Sequence, residues 1–182
     1  MRPIKGYKDV QASGEFERLA PGGYVIRITG VIDEDAPDKQ YLRIIYDIAE
    51  GPETGRYKNE TPENFFRHQF IRSYKEKALP MLKAFTVAID ETNGTKYTDQ
   101  IEKGFDEQQL VGKLLGVVFG YEEYAANDGH VKERLRVATV MSADRIRRGD
   151  YKVPVIKRLD TTQNEPPTVP GFEPITDADI PF

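Results

Sequence analysis

The chain has no cysteine, no tryptophan and only two histidines, His68 and His130. Without cysteine there is neither a disulfide framework nor a thiolate metal site. No apolar run reaches the length of a membrane-spanning helix, and mean hydropathy is −0.59. The opening Met1-Arg2-Pro3-Ile4-Lys5 leads into polar sequence and lacks the apolar core of a signal peptide. The expectation is a cytoplasmic protein with no membrane contact. The chain also lacks a His-Glu-x-x-His pattern, a Gly-rich phosphate loop followed by Lys-Ser/Thr, and a Gly-x-Ser-x-Gly elbow. The run Asp33-Glu34-Asp35 reads as a solvated loop rather than a metal site. Glu122-Glu123 has no neighbour in sequence that would tune acid–base chemistry. No catalytic residue, metal or cofactor is expected, and the chain reads as a binding protein, not an enzyme.

The 182 residues suffice for one core plus a tail. A net charge of −4 opposes a nucleic-acid ligand unless the charges are segregated. They are segregated. Arg67, Arg72, Lys75 and Lys77 gather in the middle of the chain. Lys132, Arg134, Arg136, Arg145, Arg147 and Arg148 gather later, and no base follows Arg158.

Ala20-Pro21-Gly22-Gly23 is a turn signal that opens the first strand. Alternation from Tyr24 to Ile32 places Tyr24, Ile26, Ile28 and Ile32 on one face and Val25, Arg27, Thr29 and Val31 on the other. After an acidic loop at 33–38, a second strand runs from Tyr41 to Ile48. Leu42, Ile44, Tyr46 and Ile48 lie on one side of it, and Tyr41, Arg43, Ile45 and Asp47 on the other. The pair predicts an antiparallel hairpin. A third strand covers Phe65 to Ile71, with either face able to be the buried one. Ser73-Tyr74-Lys75-Glu76 fits a capping box. Ala78, Leu82, Phe85 and Ile89 then follow at helical spacing, with a kink or a fresh helix start at Pro80. Asp106 caps a short helical turn. Strands at Lys113–Tyr121 and Val131–Met141 flank the turn Asn127-Asp128-Gly129. In the last strand Leu135, Val137, Thr139 and Met141 share a face, and Lys132, Arg134 and Arg136 share the other.

Three strands, a helix and two strands match the five-stranded oligonucleotide/oligosaccharide-binding (OB) barrel, whose helix sits between strands three and four. The expected organisation is an N-terminal arm at 1–20, an OB-fold domain at 21–158, a flexible linker at 159–176 and an acidic tail at 177–182. Beyond Asp160 the composition offers almost nothing to bury, which predicts a disordered segment.

The chain ends Asp177-Ala178-Asp179-Ile180-Pro181-Phe182. The aspartates supply attraction to a basic surface and Phe182 an apolar anchor. The adjacent α-carboxylate can pair with an arginine, and Pro181 lowers the ordering cost on binding. This ending resembles the C-terminal peptide of bacterial single-stranded DNA-binding proteins, an acidic run followed by Ile-Pro-Phe. The resemblance implies single-stranded DNA as ligand. It also implies replication, recombination or repair enzymes as partners, docked through Asp177, Asp179, Ile180, Pro181 and Phe182. Ala178 thins the acidic run, which shifts the expected docking toward Phe182 and its carboxylate. In the body, Phe70-Ile71-Arg72-Ser73-Tyr74-Lys75-Glu76-Lys77-Ala78-Leu79-Pro80 and Leu110-Val111-Gly112-Lys113 resemble phage and prophage proteins of this class.

Binding single strands without sequence preference needs rings for bases to stack on and cations along the backbone. The alternation turns Arg27, Tyr41, Arg43, Arg134 and Arg136 outward. Phe66, Arg67, His68 and Phe70 lie on the strand whose facing is open. The candidate DNA-binding set is thus Arg27, Tyr41, Arg43, Phe66, Arg67, Phe70, Arg134 and Arg136. The rival expectation is a phage recombination or replication accessory protein whose body binds another protein, and a decoy for tail-binding pockets is more distant. Homo-oligomerisation is left open.

Overall fold

A computed structural model describes Pro3, residues 19–60 and residues 68–159. Most of the expected N-terminal arm, Phe66 and Arg67, all but Leu159 of the linker, and the whole tail lie outside the described residues. Among the described residues five strands are present: β1 (Gly22–Ala36), β2 (Lys39–Ile48), β3 (Gln69–Ser73), β4 (Leu114–Ala125) and β5 (Val131–Met141). Two α-helices accompany them, α1 (Leu79–Asn93) and the short α2 (Ala143–Arg147). The strands form one sheet in the order β3-β2-β1-β4-β5, with every neighbouring pair antiparallel.

The acidic stretch expected as a loop is largely strand. Ala36 pairs with Lys39, so only Pro37 and Asp38 turn the β1–β2 hairpin. Asp33 and Glu34 are held on that strand by partners: Tyr74 Oη donates to Asp33 (3.0 Å) and Arg43 pairs with Glu34.

Two bulges correct the face assignments. In β1, Ile28 pairs with Tyr46 and Gly30 with Ile45, which leaves Thr29 without an opposite residue. The extra residue inverts the alternation. Val31 is therefore buried and Ile32 is 42% exposed, the reverse of the expected facing. In β5, Thr139 pairs with Val118 and Val137 with Phe119, so Ala138 is the extra residue. Leu135, Val137 and Val140 pack on the core, while Thr139 turns outward.

The core gathers Ile26, Ile28 and Val31 from β1 with Leu42, Ile44, Tyr46 and Ile48 from β2. Phe70 from β3 and Leu115, Val117 and Phe119 from β4 complete the sheet's share. Leu19 joins this core at 5% exposure, so packing begins inside the segment expected to be a peripheral arm. Helix α1 closes one side, burying Leu82, Phe85, Thr86, Ala88 and Ile89 against β3, β4 and β5. It starts at Leu79 with Pro80 in its first turn, where a missing N–H leaves no carbonyl unsatisfied. The capping box does not form. Ser73 ends β3, and its Oγ accepts from Lys75 N at 3.2 Å. Gly94 ends the helix at φ +66, and Asn93 ties it to β4 through both the N–H and the carbonyl of Leu114 (3.0 and 2.9 Å).

Candidate nucleic-acid interface

On β2 the alternation holds without interruption. Leu42, Ile44, Tyr46 and Ile48 are buried, and Tyr41, Arg43, Ile45 and Asp47 are half-buried on the opposite side. The neighbouring strands fix what stands beside them. Tyr41 lies between Glu34 and Ser73, Arg43 between Ile32 and Ile71, and Asp47 opposite Arg27. Arg43 is held in place: its guanidinium donates to Gln69 Oε1 (2.9 Å), Glu34 Oε1 (3.0 Å) and Tyr41 Oη (3.3 Å). Its Cζ lies 5.8 Å from the Tyr41 ring centroid. Arg27 is exposed and donates to the Gly112 carbonyl at 3.2 Å. The flanking Ile32 and Ile71 (51% exposed) give this face an aliphatic component that the sequence reading missed.

Strand β3 resolves the facing that the sequence left open. Gln69, Ile71 and Ser73 share the outer side, while Phe70 and Arg72 turn inward. Phe70 therefore does not belong with Tyr41 and Arg43. It lies 6.0 Å from both the Tyr46 and the Phe85 ring. Phe66 and Arg67 lie outside the described residues. His68 precedes β3, buried and stacked at 4.8 Å on Tyr57. Burial pushes its pKa down, against the pull of Glu60 at 3.4 Å.

Arg72 is the residue that sequence reasoning least anticipated. It is 6% exposed, with its guanidinium 4.5 Å from the Phe70 centroid and 5.9 Å from that of Phe85. Burial lowers its pKa to about 10. Nη1 donates to the Ile71 carbonyl, while Nε has no partner among the described residues. Two ring faces take the place of a carboxylate.

The β4–β5 hairpin carries the other expected arginines. Arg134 and Arg136 both point outward, and both pair with Glu122, Arg134 at 3.0 Å. Arg134 also lies 5.2 Å from the Tyr124 ring centroid. Among the described residues, each cation of the expected set, Arg27, Arg43, Arg134 and Arg136, is thus already engaged, by a carboxylate or by a carbonyl. Arg134 and Arg136 are exposed, and ion pairs of exposed arginines are worth about 0–1 kcal/mol, so a phosphate can compete for these two. The last 23 residues carry five acidic side chains and no base, which leaves residues 1–159 with one base in excess.

Between β1 and β4 the same outer face is covered. A Cβ on Gly23 would meet the Tyr151 ring at 2.5 Å. On Gly116 it would meet the Ser142 carbonyl at 2.7 Å and Ile146 at 2.8 Å, and on Gly120 it would meet Pro154 at 2.5 Å. Helix α2 and residues 149–157 therefore lie directly on the sheet backbone. Arg147 clamps α2 to Glu50 (3.1 and 2.6 Å), and Lys157 bridges to β4 at Glu122. Beside this strap, Thr139, Met141, Arg145, Gly149, Asp150, Tyr151 and Lys152 line a cleft of about 430 Å³. Among the described residues no group of three or more His, Asp or Glu is placed to hold a metal.

The described residues define a mainly β protein, a five-stranded antiparallel sheet with one long helix between β3 and β4. Comparison with protein-family models and with curated proteins finds no match for this chain.

Proposed function

We propose that this chain is a sequence-tolerant single-stranded DNA-binding protein of phage or prophage type. It protects DNA in replication or recombination in the cytoplasm of a bacterial host, and its tail recruits partner enzymes. The observation that carries the reading is the outer face of β2, where Tyr41 and an anchored Arg43 stand together above a filled core. The sheet order β3-β2-β1-β4-β5, with α1 packed against β3, β4 and β5, supports an OB barrel in which α1 caps the space between β3 and β5. The ending Asp177-Ala178-Asp179-Ile180-Pro181-Phe182 supports partner recruitment. The chain acts by binding, not by catalysis.

The test is fluorescence anisotropy on labelled oligo-dT across a salt series. Affinity is expected to fall steeply with salt, because each phosphate contact releases counterions. Absence of single-strand affinity at low salt overturns the reading. Removing residues 177–182 is expected to leave DNA binding intact or tighter, since the acids no longer compete with phosphate, and to abolish enzyme recruitment. A second reading has its own support: Ile32 and Ile71, exposed on either side of Arg43, suit an apolar protein partner on this face. Tight binding of another protein that Ile71→Ser abolishes, with no DNA affinity, would favour it.

A further inference from the structure

The cleft beside the strap belongs to none of the features that carry the DNA reading. It lies at the C-terminal end of β5, on the side where Thr139 turns outward, and the strap residues 149–152 form part of its lining, whereas Tyr41 and Arg43 stand on β2, two strands further along the sheet from β4. Its wall is fixed by the close packing of Tyr151 on Gly23 and Ile146 on Gly116, and by the Arg147–Glu50 clamp.

Its lining is chemically specific. Met141 is buried and supplies an apolar floor, and Tyr151 supplies a half-buried ring. Lys152 is exposed and makes no ion pair among the described residues. Arg145 turns Nε and Nη2 toward Asp150 (3.0 and 3.4 Å to Oδ2 and the carbonyl), and its Nη1 has no partner among the described residues. Thr139 adds a hydroxyl. Two cations against one acid, a hydroxyl, a ring and an apolar floor match a nucleotide unit: a phosphodiester for Lys152 and Arg145, and a sugar or base edge for Met141 and Tyr151. Recesses of roughly 300–1,000 Å³ hold ligands of that size.

We propose that this cleft is a second contact for the nucleic-acid backbone, engaged only when the bound strand is long enough to pass the strap. The proposal rests on the single-stranded DNA reading, and it makes site size depend on Lys152.

The experiment compares the full-length wild type with Lys152→Glu and Lys152→Ala on oligo-dT of about 8 and about 30 nucleotides, bracketing the span of an OB-type site. Lys152 is exposed, so both variants are expected to fold, and thermal melts check this. For the long oligonucleotide, Lys152→Glu is expected to weaken binding about tenfold and Lys152→Ala less, with the salt slope falling by about one. The short oligonucleotide should bind all three proteins equally. Unchanged affinity at both lengths overturns the second contact. Equal losses at both lengths overturn it too, because Lys152 would then belong to a single continuous site. Wild-type protein that binds neither length overturns the DNA reading itself, a result distinct from the other two.

Discussion

Two parts of one sheet surface have met opposite fates. Over β2 and β3 the outward positions carry Tyr41, Arg43, Ile45, Gln69 and Ile71, long side chains that stand beside one another across the two strands. Over β1 and β4 they include Gly23, Gly116 and Gly120, and there the chain's own C-terminal strap sits on the backbone. The strand geometry is the same in both. Where the outward side chain is a hydrogen atom, the protein covers itself. Where it is a ring or a guanidinium, it stands half-buried among its cross-strand neighbours.

The comparison breaks most visibly at Gly116. Gly116→Val brings Cβ against the backbone carbonyls of Met141 and Ser142, which cannot yield as a flexible side chain would. A loss of about 3 kcal/mol is expected from overpacking, read by urea denaturation. On β2, Tyr41→Ala is expected to cost about 1 kcal/mol of stability through the Arg43 hydrogen bond it accepts, while weakening oligo-dT binding by about 1–3 kcal/mol. If Tyr41→Ala lost that stability and kept affinity, this face would be structural after all. The smallest effect is expected at the strap's clamp. Hydrogen bonding from Arg147 lowers the Glu50 pKa from its ordinary 4.5. The pair therefore contributes fully above that value, and the contribution is lost as pH falls through the lower folded-state pKa. Both side chains are more than a third exposed, so Glu50→Gln should cost under about 1 kcal/mol at pH 7. That difference from wild type should disappear in acid, measured by melts across pH.

Strand number, strand order along the chain and the position of α1 were legible because each rests on local pattern: alternation in β2, helical spacing from Leu82 to Ile89, and turn residues at Gly22, Gly94 and Gly129. The face assignments in β1 and β5 were not. Alternation carries no mark of an inserted residue, although Gly30 inside a strand was a usable hint of the bulge. The outward facing of Tyr41, Arg27, Arg134 and Arg136 could be read from parity. The acceptors, Glu34 for Arg43, Glu122 for Arg134 and Arg136, and the Gly112 carbonyl for Arg27, could not, since pairing across strands depends on register. Phe70 and Arg72 were ambiguous for the same reason, both sides of that strand being mixed. The strap was not legible because Ile146, Tyr151 and Pro154, which pack on Gly116, Gly23 and Gly120, follow neither a strand nor a helix period. A glycine in a strand also does not say which distant segment will lie on it.

The two bulges also fix where the chain can change length. Thr29 and Ala138 have no residue opposite them, so removing either leaves the pairing of Ile28 with Tyr46, or of Val137 with Phe119, as it stands, and keeps Val31 and Val140 facing the core. A one-residue deletion at other positions of β1 or β5 turns every later side chain of that strand to the opposite face. In a library of single-codon deletions, survivors within these strands should cluster at the two bulges.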